Sequence, residues 1–546
     1  MPGGSHLQQG YYIKVGLKAR GLHSFALIAS VFLVFVTMGC ARPATPTPPA
    51  LPAPSDFDPA NGPTSTTSLA SATLPRPIST VETRSSAGPS AATRTAPDFC
   101  QLAAAAPGRP RYRFEVIAQP AVHRLIVQQQ LTLTDPDQLA SGEIVFNVPA
   151  NHAAGIFNLK QVALAGVAEH LAPQLSGSTL RIGLPPAVRT ASAATVCLSY
   201  TLDLPPAAAG GITGASALAW SELGDVAGLW YPVLAPYDPD NGWRPIPYHP
   251  VGDPIVYPVA DYAVTVQAPL NYEVIGPGTP RRQGDAWQFE LLSARGFAFI
   301  VSDRLTVSSA QVNGIPVSVY HRPAEQAAAQ DVLRALEEAL PLFAQTYGPY
   351  PYDSLTIVEA AQFGGMEYSA LITFSSQWFA EYQRPAPGVE FGADSLIRFV
   401  VHETGHQWWY GTVGNDQAYE PWLDEGLARF GEHLYYEKLH PNDLSWWAAP
   451  SAGMKTLPIN RPIYDFADTA GYVQAVYVSS ARFLLDVRDK MGDKAFYDFL
   501  QDYYRQYRDQ IVTQAQFLSL LRSYAGADLD HLLPLYFDPV PDVASP

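Results

Sequence analysis

From about Asp98 to Leu305, hydrophobic and polar residues alternate in short runs. "YRFEVIAQ", "HRLIVQQQLTLT", "GEIVFNV", "TVCLSYTLDL", "DYAVTVQAP" and "AWQFELL" are each bounded by Gly, Pro or Asp. A period of two predicts strands with one buried face. Many such strands without a helical period predict an antiparallel β-sandwich-like domain over residues 98–305. The Pro- and aromatic-rich "GLWYPVLAPYDPDNGW" carries no readable period.

After Leu305 the pattern changes. "IPVSVYHR", "SLTIVEAA" and "SALITFSS" predict strands, and "AEQAAAQDVLRALEEALPLFAQTYG" predicts a helix between the first two. Beyond Asp394 the signal is mostly helical. "SLIRFVVHETGHQWWYG" predicts one helix ended by Gly411 and Gly414, and Pro421 is placed to begin the next. In "QAVYVSSARFLLDVRDKMG", Val476, Ser480, Phe483, Leu484, Val487 and Met491 share one face, and Gly492 stops the helix. Thr513 and Gln516 predict a capping box. The fold class expected is multidomain α+β, with a mixed, mainly helical unit over residues 306–541 following the β domain.

The N-terminus reads as a targeting segment. Lys14, Lys18 and Arg20 precede the apolar "SFALIASVFLVFVTM", which ends at Gly39 and Cys40. "VTMGC" resembles a bacterial lipobox with Cys40 as the acylated residue, although Thr37 and Met38 depart from it. Residues 1–40 are thus expected to be a signal peptide. Residues 41–97 are rich in Pro, Ser, Thr and Ala and predict a disordered tether that lifts the folded part off a membrane. The expected location is the outer face of a bacterial cytoplasmic membrane or the periplasm, with attachment through the lipid or the N-terminal segment. With Cys40 acylated, Cys100 and Cys197 remain, the number needed for one disulfide in an oxidising compartment; two unpaired thiols are the alternative. Lys plus Arg total 34 against 50 Asp plus Glu, a net charge of −16, which argues against nucleic acid as a partner.

Candidate chemistry lies in H-E-x-x-H. His402 and His406 are four apart, so on a helix both imidazoles face one point and can hold a tetrahedral Zn²⁺. Glu403 is displaced by about 100 degrees and can serve as general base rather than ligand. Catalytic zinc needs a third protein ligand. Glu425, 18 residues beyond His406 and one turn into the second helix, is the candidate among several glutamates there. His433 and His440 read as surface residues of that helix.

H-E-x-x-H, 18 residues, then Glu within "PWLDEGLARF" resembles the aminopeptidase N type of gluzincin zinc metallopeptidases. Asp424 stands where Asn is usual. "FGGMEYSALITF" (363–374) resembles that family's Gly-x-Met-Glu-Asn segment, with Tyr368 in place of Asn. The resemblance covers roughly residues 98–541. It implies a thermolysin-like catalytic domain, one zinc per chain, and peptide hydrolysis by metal-activated water. Glu367 would receive the free α-amino group of a peptide substrate, and Gly364, Gly365 and Met366 would line the cleft. Tyr477, in "GYVQAVYVSSARFLLD", would stabilise the oxyanion, with Tyr472 as the nearby alternative; Ser479 and Ser480 stand where the family has Lys and Gly. Larger relatives carry further domains that enclose the cleft. Their lack before Pro546 implies a more open cleft, which keeps endopeptidase action in view beside the aminopeptidase. A non-catalytic surface lipoprotein on a peptidase scaffold is the reading from another class; retention of both histidines, Glu403 and Glu425 disfavours it.

Overall fold

The computed structural model describes residues 100–101, 108–168, 171–207, 217–254, 256–362, 364–382, 395–444 and 456–543. The signal segment, Cys40 and the tether lie outside the described residues.

The alternating runs form a seven-stranded sheet. Its order is Arg281–Gln283, Ala286–Ala294, Ala260–Gln267, Arg111–Gln119, Arg124–Leu133, Ala194–Asp203, Phe157–Leu164. Two four-stranded sheets, one of them made of Glu273–Ile275, Phe299–Ser302, Gly224–Ala227 and Leu218–Ser221, and a two-stranded ribbon of Tyr237–Asp238 and Gly242–Trp243 complete this unit among the described residues. The expectation of a purely antiparallel domain is corrected: Arg111–Gln119 runs parallel to Ala260–Gln267. Parallel neighbours need a long crossover, and here most of the domain lies between the two strands. Several strands without a clean alternation, such as Phe157–Leu164 and Phe299–Ser302, went unread in the sequence. Cys100 and Cys197 are joined by a disulfide across 97 residues. Closing a loop of that length removes about 4–5 kcal/mol of unfolded-state entropy in the chain-entropy account.

The chain changes sheet between Ser302 and Thr306. The second unit has a five-stranded sheet in the order Thr306–Val312, Ile315–His321, Leu355–Ala360, Leu371–Ser375, Gly365–Met366. Helix α1 (Gln326–Thr346) buries Ala329, Val332, Leu336 and Phe343 against it. Helices α2 (Ser395–Gly405), α3 (Trp422–Leu439) and α4 (Ser480–Met491) follow. On α2, Leu396, Ile397, Val400 and Val401 are buried, each worth roughly 1.5–3 kcal/mol. The capping box at Thr513 and Gln516 is present.

The two units share one apolar core. Met366, Tyr368 and Leu371 of the catalytic sheet join Phe114, Trp230 and Phe299 of the β unit. Arg295 is buried between the units, donating from Nη1 to the Tyr257 carbonyl at 2.7 Å and from Nη2 to the Gln510 carbonyl at 2.6 Å.

Three local readings are corrected. Helix α2 ends at Gly405 rather than running to Gly411. The amides of Gln407 and Trp408 bond three residues back, which tightens the turn, and Tyr410 takes φ +100°. The segment before α4 is a π-helix over Val473–Ser479. His440 is not on the surface; it is buried, with Nε2 2.8 Å from Glu338 Oε2. His433 is half-buried.

Glu420, just before α3, accepts the Gln514 amide at 2.8 Å and so ties α3 to the capped helix. Burial lifts its carboxyl from 4.5 to about 7. A raised folded-state pKa means the proton is held more tightly in the folded chain, so this stabilisation is full below 4.5 and lost as pH rises through about 7. Glu420→Gln is expected to flatten the fall in melting temperature across that window, measured by calorimetry. Parallel curves for the two proteins would remove Glu420 from this role.

Candidate active site

His402 occupies the last full turn of α2 and His406 the tightened turn after it, where the His406 amide still bonds the His402 carbonyl at 3.3 Å. The i, i+4 placement therefore survives the early helix end. Helix α3 brings Glu425 to the same point. His402 Nε2 lies 3.1 Å from Glu425 Oε2, His406 Nε2 lies 3.3 Å from the same oxygen, and the two Nε2 atoms are 3.1 Å apart. All three side chains are buried.

Whether these residues suit a zinc ion is tested by their other contacts. Each imidazole has its Nδ1 directed to an oxygen, His402 to Glu432 Oε1 at 2.8 Å and His406 to the Trp409 carbonyl at 3.0 Å. That fixes the tautomer with Nε2 free to ligate, as in carboxylate–histidine–zinc arrangements. Burial lowers both imidazole pKa values, yet the carboxylates overcome it: His402 is lifted to about 9, chiefly by Glu425 and Glu432, and His406 is raised by Glu367 and Glu425. Glu425 is correspondingly held well below its ordinary value by His406 and His402. The pocket thus calls for positive charge at the point where the Nε2 atoms meet Glu425. Two neutral nitrogens and one carboxylate fit Zn²⁺.

Glu432 was not anticipated. It lies seven residues after Glu425, two turns along the same helix, so its approach to His402 was available from spacing alone. It is fully buried and is also bonded by Arg429, with Arg398 at 3.7 Å, which hold it ionised.

Glu403 points elsewhere. It is 6 % exposed, and its Oε2 has no hydrogen-bond partner among the described residues. Burial lifts its carboxyl to about 8, and the charges of His402 and His406 oppose this. A buried carboxylate oxygen left unpartnered is costly and marks a group reserved for another task. Gly365 makes room for it, because a Cβ there would collide with the Glu403 carboxylate.

Strand Gly365–Met366 is the outer strand of the catalytic sheet. Side chains alternate through this segment. Met366 and Tyr368 enter the shared core, while Glu367 reaches His406 and Asp424. Tyr368 packs its hydroxyl beside Gly228 of the β unit, where a Cβ would overlap it. Its carbonyl accepts from Gln407 Nε2 at 3.3 Å. The substitution for Asn therefore fastens the segment to the β unit and leaves Glu367 in the pocket. Glu367 is buried, and a carboxylate oxygen of it lies within 4.8 Å of ligating atoms of His406 and Asp424. Gly364, at φ +85°, makes the turn into the strand; Phe363 lies outside the described residues.

Tyr477 sits on the π-helical segment and donates its hydroxyl to Glu425 Oε1 at 2.6 Å. Its ring stacks on His402 at 5.7 Å. Tyr472 is buried beside it, ring centroids 5.8 Å apart, with no contact to a ligand carboxylate described. The π-turn displaces the register of the following helix, which periodicity at 3.6 could not anticipate.

Residues 331–536 match the model of the peptidase family M1 domain. Aminopeptidase N of Streptomyces lividans is 24% identical over 296 residues, covering 50% of this chain and 34% of that protein. Human endoplasmic reticulum aminopeptidase 1 is 30% identical over 148 residues, covering 26% of this chain and 15% of that one. The chain thus spans about a third or less of the length of these curated relatives. An M1 zinc metallopeptidase from Deinococcus radiodurans has the same fold: TM-score 0.56 at 17% identity, over 80% of this chain and 97% of that one. A two-domain M1 zinc metallopeptidase bound to L-tryptophan aligns over 82% of this chain and 99% of its own, with TM-score 0.56 and 16% identity. Residues 331–536 thus carry a match to the peptidase family M1 domain, and the chain is similar to aminopeptidase N-type metallopeptidases in sequence and to two-domain M1 metallopeptidases in fold.

Proposed function

We propose that this protein is a zinc aminopeptidase that removes N-terminal residues from peptides. One observation carries the preference for chain ends: the Glu367 carboxylate lies within 4.8 Å of a ligating atom of His406. A buried anion at that distance pairs an α-ammonium and sets the first peptide bond beside the metal ligands. Zinc held by His402, His406 and Glu425 supplies Lewis acidity for the carbonyl and for water. Glu403 takes the proton of the attacking water and delivers it to the amide nitrogen as the C–N bond breaks. Tyr477 donates its hydroxyl to the oxygen that gains negative charge. Glu432 and the Trp409 carbonyl hold both imidazoles in the ligating tautomer. The Gly365–Met366 backbone supplies an edge on which an extended peptide can lie.

Matched peptides with free and N-acetylated ends test this reading. Cleavage of the free form alone, one residue at a time by mass spectrometry, is expected. Equal cleavage of both would remove Glu367 as an amine anchor and leave a zinc endopeptidase. Failure to cleave either by zinc-loaded protein would point to the non-catalytic scaffold.

Export and lipid anchoring form part of the same proposal. They are supported by the "VTMGC" segment and by the Cys100–Cys197 bond, which suits an oxidising compartment. Cells expressing the full chain are expected to incorporate labelled palmitate into it, and Cys40→Ser to abolish the label. An unlabelled wild-type chain refutes acylation.

A further inference from the structure

The Glu367 carboxylate is itself held by a side chain. Gln417 donates Nε2 to Glu367 Oε1 at 3.1 Å and to Asp424 Oδ2 at 2.6 Å. All three residues are buried. Between two carboxylates only the NH2 end of an amide is tolerated, so these neighbours fix the orientation of Gln417. The orientation has a cost, because Gln417 Oε1 is buried with no hydrogen-bond partner among the described residues. A buried amide rarely leaves its acceptor empty, and one that does is held by stronger contacts at its other end.

The same contact decides against a second cation. Oxygens of Glu367 and Asp424 and a ring nitrogen of His406 lie within 4.8 Å of one another. The Gln417 NH2 group, which offers hydrogens and no lone pair, already joins the two carboxylates, and His406 Nε2 is turned to Glu425. An amide closes this cluster.

The loop carrying Gln417 is tied down on both sides. Asp416 Oδ1 accepts the amides of Ala418 and Tyr419, both at 3.0 Å, and Arg244 of the β unit bonds the other oxygen of Asp416. The Ala418 carbonyl accepts the Ile463 amide at 2.9 Å, and Ala418 packs with Ile246, Val256 and Tyr472. A side chain on so restrained a backbone suits a positioning task.

Asp424 sets which end of the Gln417 amide meets Glu367. Each of its oxygens accepts one amide, Oδ2 from Gln417 and Oδ1 from Asn415 Nδ2 at 2.8 Å. Asn415 Nδ2 is also held by the Glu420 carbonyl at 3.1 Å, so Asn415 is not free to turn over. An Asn at 424 has a single acceptor oxygen and cannot serve both amides. With that oxygen kept by Asn415, its NH2 group would meet the NH2 group of Gln417. Gln417 would then leave Glu367 or turn Oε1 toward it, an acceptor against an anion. The carboxylate at 424, where the resembled family has Asn, is thus matched to Gln417.

We propose that Gln417 is a positioning residue that aims the Glu367 carboxylate at the α-ammonium of the substrate, and that Asp424 orients Gln417 for this task. This rests on the aminopeptidase reading above. With Oε1 bonded to Gln417, Glu367 presents its second oxygen to the ammonium and is kept from turning onto the neighbouring zinc ligands.

The test measures binding of Ala-Ala-Ala and of its N-acetylated form to the zinc-loaded full chain carrying Glu403→Gln, by calorimetry. Burial and Glu425 lift the Asp424 carboxyl to about 7, against His406 and the two amides, so the measurements are made above that pH, where it is ionised. The Glu403→Gln parent is expected to bind the free amine about tenfold or more tightly than the acetylated form. Adding Gln417→Met, which keeps the length and removes the donor, is expected to bring that ratio close to one with zinc affinity unchanged. Asp424→Asn is expected to lower the ratio with Gln417 intact, and to add nothing once Gln417→Met is present. Being nearly isosteric, Asp424→Asn alone reads the preference if Gln417→Met does not fold. A ratio unchanged in either variant overturns the inference and leaves the aminopeptidase in place. Equal weakening of both peptides, or loss of zinc, marks a merely structural role and also overturns it. Independent, additive losses in the double variant overturn the link from Asp424 to Gln417. A parent that binds both peptides equally overturns the aminopeptidase reading and the inference together.

Discussion

Replacing Glu403 with Gln is expected to leave zinc bound and to lower peptide hydrolysis by about 10²–10⁴-fold. Gln matches Glu in shape, so the close fit against Gly365 and the packing of α2 are retained. What changes is the Oε2 atom, which has no hydrogen-bond partner among the described residues and would take the proton from water. Glu403 is not among the converging ligand atoms, so the metal content should not move. Metal analysis beside initial rates checks both halves. Wild-type-like turnover in Glu403→Gln would remove it from the base role, and loss of zinc would show that it ligates.

Removing a ligand should act on the metal itself. Purified protein is expected to carry about one zinc per chain, and Glu425→Ala to lose most of it together with activity. Glu425 Oε2 is the atom shared by both histidines, at 3.1 and 3.3 Å, so its loss leaves two neutral nitrogens and no anion at the point where charge is required. Glu432→Gln provides a graded comparison. It touches Nδ1 of His402, opposite the ligating atom, and is expected to weaken zinc affinity about 10–100-fold without abolishing it. Competition with a chromophoric chelator measures all three proteins. Equal affinity in wild type and Glu432→Gln would show that Arg429 and Arg398, rather than His402, are the partners that matter to Glu432. Full zinc retention in Glu425→Ala would sink the ligand assignment.

The candidate ligand set was legible because it depends on local spacing. Two histidines four apart on a helix converge wherever that helix is placed, and even the early end of α2 at Gly405 left the relation intact. Glu425 was legible as a residue one turn into a helix opened after Pro421. Glu432 repeats on the same face and was missed, although its spacing carried the signal. Tyr477 was ambiguous with Tyr472 for a physical reason. The π-turn over Val473–Ser479 shifts which side chain faces the ligands, and hydropathy does not register such a turn.

Gln417 was not legible at all. Gln417 sits in a loop without periodicity, and its role comes from two carboxylates, on a strand and on α3, that only folding brings together. The same holds for Tyr368, which stands where the resembled family has Asn: its role as a fastening between units comes from Gly228, a residue 140 positions away.

Sequence alone was sufficient for the alternating strands, the main helices and the convergence of His402, His406 and Glu425 beside Glu403, because i, i+4 geometry and strand alternation are properties of a few neighbouring residues. The parallel strand pair, the shared core, the tautomer-holding partners and the acidic pocket were settled by tertiary structure. Each depends on which distant segments meet, and the free energy of burying them together is a property of the packed whole rather than of any one segment.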